Sequence, residues 1–211
     1  MRAWLAGFLA RRHSGPVDVL VYGDGPGYDS LYLAHAGHRV SYYDVSEPGA
    51  AVARAVFAHS PTPIEMLSNL EGEPARWDTV LCLDVLEHVP DPGAIVRALA
   101  LVLRDGGNLI VHAPFFCVSR DYPTHLESNR RLSGDLDRLF TPADLWPVDG
   151  RLFWDPIVFE KRRGARPTPR IRLRLGLGRL ALLSMRVWAR PQLALIKLFL
   201  LSDERRLRRL P

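Results

Sequence analysis

Nine residues, Val19 to Gly27, carry the first pattern that could do chemistry: Val-Leu-Val-Tyr-Gly-Asp-Gly-Pro-Gly. Glycines directly after an apolar run permit a tight turn and let a ligand approach the backbone closely. The next apolar run ends in Asp44, 21 residues after Gly23. A carboxylate at that offset can accept hydrogen bonds from both ribose hydroxyls of a nucleoside. The dinucleotide fingerprint is G-x-G-x-x-G, but here the spacing is G-x-G-x-G and Tyr28 stands where the last glycine belongs. Asp24, inside the loop, would repel a pyrophosphate. It would not repel S-adenosylmethionine, which carries a sulfonium and an ammonium and no phosphate. Gly23, Asp24, Gly25, Gly27 and Asp44 are therefore expected to bind S-adenosylmethionine, and a nicotinamide-dependent oxidoreductase is the disfavoured alternative.

Two histidines, His88 and His125, have the unperturbed pKa that suits a base working near neutrality. Either can take a proton from an acceptor hydroxyl or amine. The plain alternatives are a satisfied histidine in a polar turn with Glu87, and a solvated loop histidine. Cys82 lies mid-strand among apolar neighbours and reads as a small core residue. No C-x-x-C pair occurs, neither lysine sits in a glycine-rich loop, and no metal is expected.

The elements that must hold these residues alternate. Val17–Tyr22, Arg39–Asp44, Ile64–Leu67, Thr79–Asp84 and Asn108–Ala113 read as strands. Ser30–Ala36, Ser46–His59 and Asp91–Leu103 read as helices, the last two with Ser46 and Asp91 as N-caps and a proline in the first turn. This rhythm predicts an α/β fold with a mostly parallel sheet between helical layers. An amphipathic helix with Trp4, Leu5, Phe8 and Leu9 precedes it. The stretch from Phe115 to Arg131 has no periodicity, and a loop of that length is usually functional, often a lid. Gly134–Phe140 returns to helix behind Ser133 as N-cap, and Leu152–Lys161 reads as a late strand.

Charge divides the chain. Residues 1–160 hold 13 arginines, no lysine and 21 acids, a net −8, whereas residues 161–211 hold 15 Lys+Arg and 2 acids, a net +13. Two units follow: an acidic body, 1–161, and a basic, apolar helical tail, 162–211. The tail contains two apolar helical stretches, Leu177–Ala189 and Gln192–Leu201. They can pack on the body, join a second copy in a homo-oligomer, or lie on an anionic membrane surface through residues 165–211. The apolar surface of Leu193–Leu201 favours the membrane. Nucleic acid is the weakest partner, because the tail offers only Trp188 and Phe199 for stacking. No uncharged apolar run reaches the ~18 residues of a membrane span. Arg11 and Arg12 stand where a signal peptide would be cleaved. A cytoplasmic protein, with membrane association through the tail, is expected.

The body resembles the class I S-adenosylmethionine-dependent methyltransferases, in particular the small-molecule branch of ubiquinone and menaquinone biosynthesis. The resemblance rests on Trp77-Asp78-Thr79-Val80-Leu81-Cys82-Leu83-Asp84-Val85-Leu86-Glu87-His88-Val89-Pro90-Asp91-Pro92, on the turn Arg104-Asp105-Gly106-Gly107, and on Tyr122-Pro123-Thr124-His125-Leu126. It implies a Rossmann-like three-layer sandwich with a seven-stranded sheet whose last strand is antiparallel. It also implies that Gly23, Gly25 and Gly27 line the methionine part of the cofactor. Asp44 would hold the ribose, Val45 would flank the adenine, and Leu83 and Asp84 would stand beside the reacting methyl. The acceptor would be a small or lipid-like molecule methylated on O, N or C. One position departs from the family: Val21 stands where an acid usually helps hold the methionine end. A non-catalytic S-adenosylmethionine-binding module is the alternative this suggests. Only 16 residues precede Val17, so the acceptor pocket is expected to be open, or completed by the tail or a partner chain.

Overall fold

The computed structural model describes residues 1–118, 122–133, 136–150, 156–164, 168–173, 175–177 and 180. A seven-stranded sheet runs in the order β3-β2-β1-β4-β5-β7-β6. The strands are β1 (Asp18–Tyr22), β2 (Arg39–Tyr43), β3 (Ile64–Met66), β4 (Trp77–Leu83), β5 (Leu103–His112), β6 (Leu145–Gly150) and β7 (Ile157–Lys161). Strands β1 to β5 are parallel, and β7 lies antiparallel between β5 and β6.

The parallel strands are apolar on both sides because both sheet faces are covered. Val19, Val21, Leu81 and Ile110 point to one face. There they meet Leu5, Phe8 and Leu9 of α1 (Arg2–Arg12) and Leu33 and Ala34 of α2 (Tyr28–His35). Tyr42 packs with Ala50 and Ala53 of α3 (Glu47–Ala58). Leu20, Val80, Cys82, Leu109 and Val111 point the other way, onto Val96, Leu99 and Ala100 of α4 (Pro92–Val102). Cys82 is fully buried, as its place in the strand predicts. The expected caps form: the Ser46 hydroxyl accepts from Gly49 N at 3.3 Å, and the Asp91 carboxylate from Ala94 N at 2.9 Å.

The sequence pattern leaves one strand unseen. Strand β6 is invisible to a pattern search because it contains Pro147 and reads Leu-Trp-Pro-Val-Asp-Gly. It is the outer strand of the sheet, where a missing N–H is tolerated, and its pairing shifts register at Pro147/Asp149. Ser133, expected as an N-cap, is separated from the described helix by residues 134 and 135, which lie outside the described residues. Its hydroxyl donates to the Arg130 carbonyl at 2.8 Å and closes a 3₁₀ turn, Glu127–Leu132. Helix α5 is described over Leu136–Leu139, within the expected Gly134–Phe140. The last strand is described from Ile157, and residues 151–155 of the expected strand lie outside the described residues.

Most of the basic tail, including nearly all of Leu177–Ala189 and all of Gln192–Leu201, also lies outside them. Its described beginning is helical over 169–173. Ile171 is buried there, whereas Leu173, Leu177 and Leu180 are exposed. Among the described residues no helix is long and apolar enough to cross a membrane.

Candidate active site

Strand order reverses between β1 and β4, and the crevice beyond the carboxyl ends of these strands is where open α/β sheets bind ligands. The glycine loop leaves β1 at this point. Gly23, Gly25 and Gly27 all have positive φ, at 75°, 53° and 83°. A Cβ on Gly23 would come within 2.4 Å of the Val85 side chain, and one on Gly27 within 2.4 Å of the Phe57 ring. Side chains at these two positions are excluded by conformation and by space together.

The Asp24 carboxylate turns inward. It accepts from Asp29 N at 3.1 Å, from Ser30 N at 2.7 Å and from Ser30 Oγ at 2.7 Å. It therefore occupies two of the free backbone donors of the first turn of α2. These are the groups that a dinucleotide loop offers to a pyrophosphate. Burial pushes the Asp24 carboxyl above its ordinary range, against the hydrogen bonds from Ser30 and Asp29 that favour its charge.

Asp44 fastens the loop to the end of β2. One oxygen accepts from Gly25 N at 2.7 Å and the other from Ser46 N at 2.7 Å. The Tyr42 hydroxyl donates to the Gly25 carbonyl at 2.7 Å on the neighbouring side. Each Asp44 oxygen keeps a further lone pair for a ligand hydroxyl. Val45 stands beside it, 76% exposed on the rim. Val21, by contrast, is 2% exposed in the core. An acid there would face apolar side chains.

Strand β4 delivers the opposite lip. Leu83 is half-buried at its end, and Asp84 follows with φ 55°, a left-handed conformation uncommon outside glycine. Two bonds to one residue hold it: Asp84 N donates to the His112 carbonyl at 2.8 Å, and its carboxylate lies 2.6 Å from His112 Nδ1. A 3₁₀ turn, Leu86–His88, comes next. Glu87 is 1% exposed, and burial pushes its carboxyl up to about 7. Among the described residues its Oε2 has no hydrogen-bond partner.

The segment read as a possible lid packs on this turn. Leu126 N donates to the Glu87 carbonyl at 3.0 Å. The buried Asn129 amide donates to the carbonyls of Val89 at 2.8 Å, Leu86 at 3.3 Å and Glu87 at 3.4 Å. His88 Nδ1 donates to the Thr124 carbonyl at 3.1 Å, and its Nε2 lies 3.8 Å from Glu87 Oε1. The His88 and His125 rings meet edge to face, 4.8 Å between centroids. Burial, with the His88 charge second, holds the His125 imidazole below its ordinary value, while a hydrogen bond to the Cys117 backbone opposes the shift. Among the described residues His125 Nδ1 is buried without a hydrogen-bond partner.

With this geometry in view, a family model described as a methyltransferase domain matches residues 20–111. Over these residues the chain is similar to methyltransferase domains. A ubiquinone biosynthesis O-methyltransferase of Idiomarina loihiensis is 38% identical over 96 residues, 43% of this chain and 40% of that protein. The chain thus spans about two-fifths of the length of the curated relatives it matches. Solved structures share the fold. The 1,6-didemethyltoxoflavin-N1-methyltransferase of Burkholderia thailandensis, with bound 1,6-didemethyltoxoflavin and S-adenosylhomocysteine, has a TM-score of 0.55 at 22% identity over 76% of this chain and 78% of its own. The magnesium protoporphyrin IX methyltransferase of Synechocystis, with bound SAM, has a TM-score of 0.53 at 24% identity over 75% of this chain and 76% of its own.

The crevice thus carries Gly23, Asp24, Gly25, Gly27, Asp44 and Val45 on one lip, and Leu83, Asp84, His88 and His125 on the other. Sequence reasoning missed three residues here. Glu87 was visible only as a neighbour of His88, and its burial depends on the packing of the segment from Tyr122 to Leu132. His112 has no local signal, because its partner Asp84 sits on another strand. Asn129 reads as an ordinary loop residue until its amide is seen to gather three carbonyls.

Proposed function

We propose that this chain transfers a methyl group from S-adenosylmethionine to an oxygen of a small or lipid-like acceptor. The observation that carries this reading is the state of the glycine loop. Its helix N-terminus is closed by Asp24, so no phosphate seat remains, while Asp44 stands 2.7 Å from the Gly25 amide with lone pairs to spare for a ribose. Oxygen is preferred as the methylated atom because the relatives matched at 38% identity bear the name O-methyltransferase.

In this reading Gly23, Gly25 and Gly27 line the methionine portion, Asp44 holds the ribose and Val45 flanks the adenine. Leu83 and Asp84 face the transferred methyl. The acceptor oxygen attacks the methyl carbon in line with sulfur. The new O–C bond forms as the C–S bond breaks, its electron pair neutralises the sulfonium, and the hydroxyl proton leaves toward the His88–His125 pair. The protein's work is orientation and exclusion of water. The basic tail, through residues 165–211, brings the body to an anionic membrane where a lipid-like acceptor resides. Exposed Leu173, Leu177 and Leu180 beside a net +13 support this role.

A second reading, a non-catalytic S-adenosylmethionine-binding module, has its own support. Val21 is buried in the core and the Asp24 carboxylate is engaged with α2, so neither supplies the missing acid at the methionine end. Calorimetry with S-adenosylhomocysteine, followed by labelled methyl transfer to a panel of phenols and catechols, separates the readings. Binding with transfer supports the enzyme, binding without transfer on any acceptor supports the module, and no binding overturns both.

A further inference from the structure

We propose that Glu87, His88 and His125 form a three-ligand site for one divalent transition ion of the zinc, manganese or iron class. The sequence alone gave no reason to expect a metal, because its ligands come from two segments that only folding brings together. One ligand atom from each of the three side chains can be chosen so that all lie within 4.8 Å of one another. Ligands of a single ion at the usual ~2.0–2.2 Å lie about 3–3.5 Å apart, so a small side-chain closure completes the site.

Each side chain is prepared for this task. A ligating imidazole characteristically donates its second ring N–H to a carbonyl or carboxylate, which fixes the tautomer and aims the other nitrogen at the metal. His88 does this: Nδ1 donates to the Thr124 carbonyl, and Nε2 is left facing Glu87. The His125 ring meets His88 edge to face, and among the described residues its Nδ1 is buried without a hydrogen-bond partner. Glu87 is 1% exposed, and its Oε2 also lacks a partner. Two unsatisfied ligand atoms buried in one cluster are costly to leave so, and a cation satisfies both.

Two imidazoles and one carboxylate suit zinc, iron, manganese or cobalt. Magnesium and calcium prefer oxygen sets. Three protein ligands also leave a coordination position for water or an acceptor oxygen. The ion would clamp the 122–133 segment, through His125, to the turn after β4. With the ion bound both imidazoles are occupied as ligands, so the ion takes over the part of the histidine pair, lowering the pKa of the acceptor hydroxyl, whose proton then leaves to water. Metal binding itself rests on these side chains and not on the methyl-transfer reading.

The test uses the tag-free full chain, stripped with a chelator and titrated by calorimetry with zinc chloride and with manganese chloride alone. One equivalent per chain is expected, together with a raised melting temperature. His88→Ala and His125→Ala should each weaken the affinity at least about tenfold. Cobalt loading of the unaltered chain needs no variant, and the intense visible bands of a four- or five-coordinate ion are expected. Absence of binding, a purely aquo-like cobalt spectrum, or one-equivalent binding that survives the His88→Ala/His125→Ala double variant would overturn the site. S-adenosylhomocysteine binding measured on the same samples keeps the two proposals apart. Metal uptake without it leaves this site standing and overturns the methyl-transfer reading. Nucleoside binding without metal uptake does the reverse.

Discussion

The glycine-loop lip of the crevice runs from Gly23 to Gly49 and is assembled from backbone conformation and short-range bonds, the longest of which joins Gly23 N to the Tyr43 carbonyl. The histidine lip is assembled from groups 36 to 43 residues apart, with His88 on Thr124 and Asn129 on three carbonyls of the Leu86–Val89 turn. The first lip can form as soon as β1 and β2 pair. The second exists only when the Tyr122–Leu132 segment has docked. A binding half that needs little tertiary support is therefore joined to a chemical half that depends on it.

Substitutions can break this contrast, and the largest effect is expected on the backbone-built lip. Gly27→Val places a Cβ into Phe57 at a residue whose φ is 83°. It should destabilise the chain by about 2–3 kcal/mol and abolish measurable S-adenosylhomocysteine binding. Thermal unfolding and calorimetry check both. Asp44→Ala removes a charged acceptor from two backbone amides and from the ribose, and should weaken S-adenosylhomocysteine about 30-fold, read by the same calorimetry. On the other lip, Asn129→Ala withdraws the shared donor from three carbonyls. A loss of about 1–2 kcal/mol in denaturant unfolding is expected. Nucleoside affinity should stay within twofold of the unaltered chain. A large loss of that affinity would show that the two lips are coupled and end the contrast.

The smallest effect concerns the rest of the sheet. Asp18, beside Arg39 and Arg104, is held below its ordinary value, as are Glu65 near Ser41 and Arg76, and Glu160 near Arg162 and Arg12. A carboxyl depressed in the folded state contributes stability that is full above its unfolded value and lost as pH falls through its folded one. From pH 7 to about 5 the raised Glu87 and Asp24 carboxyls bind protons more readily in the folded state, so melting temperature should rise, and the depressed carboxyls should then make it fall below about pH 4. Asp18→Asn should flatten that fall slightly.

Much of this was legible in the chain itself. The strands β1, β2, β4 and β5 announce themselves as β-branched apolar runs. Helices α3 and α4 do so through Ser46 and Asp91 before prolines. The nucleoside-type lip is readable because its parts are local: positive-φ glycines after a strand, and an acid at the end of the next. Asp24 shows the limit. Its charge pointed rightly away from a phosphate, but only the fold shows the carboxylate spent on the first turn of α2. Strand β6 was hidden by Pro147, which a sheet tolerates only at its outer strand. Sequence does not say which strand is outermost.

The chain alone thus determined the α/β architecture, the switch-point loop and the division between an acidic body and a basic tail. Periodicity, turn chemistry and charge act over a few residues and need no partner. Tertiary structure decided that Glu87 is buried, that His88 and His125 meet, that Asn129 holds the turn between them, and that Asp84 leans on His112. Each of these depends on which distant segment excludes water from a polar group. Desolvation of that kind has no signature in the order of the residues.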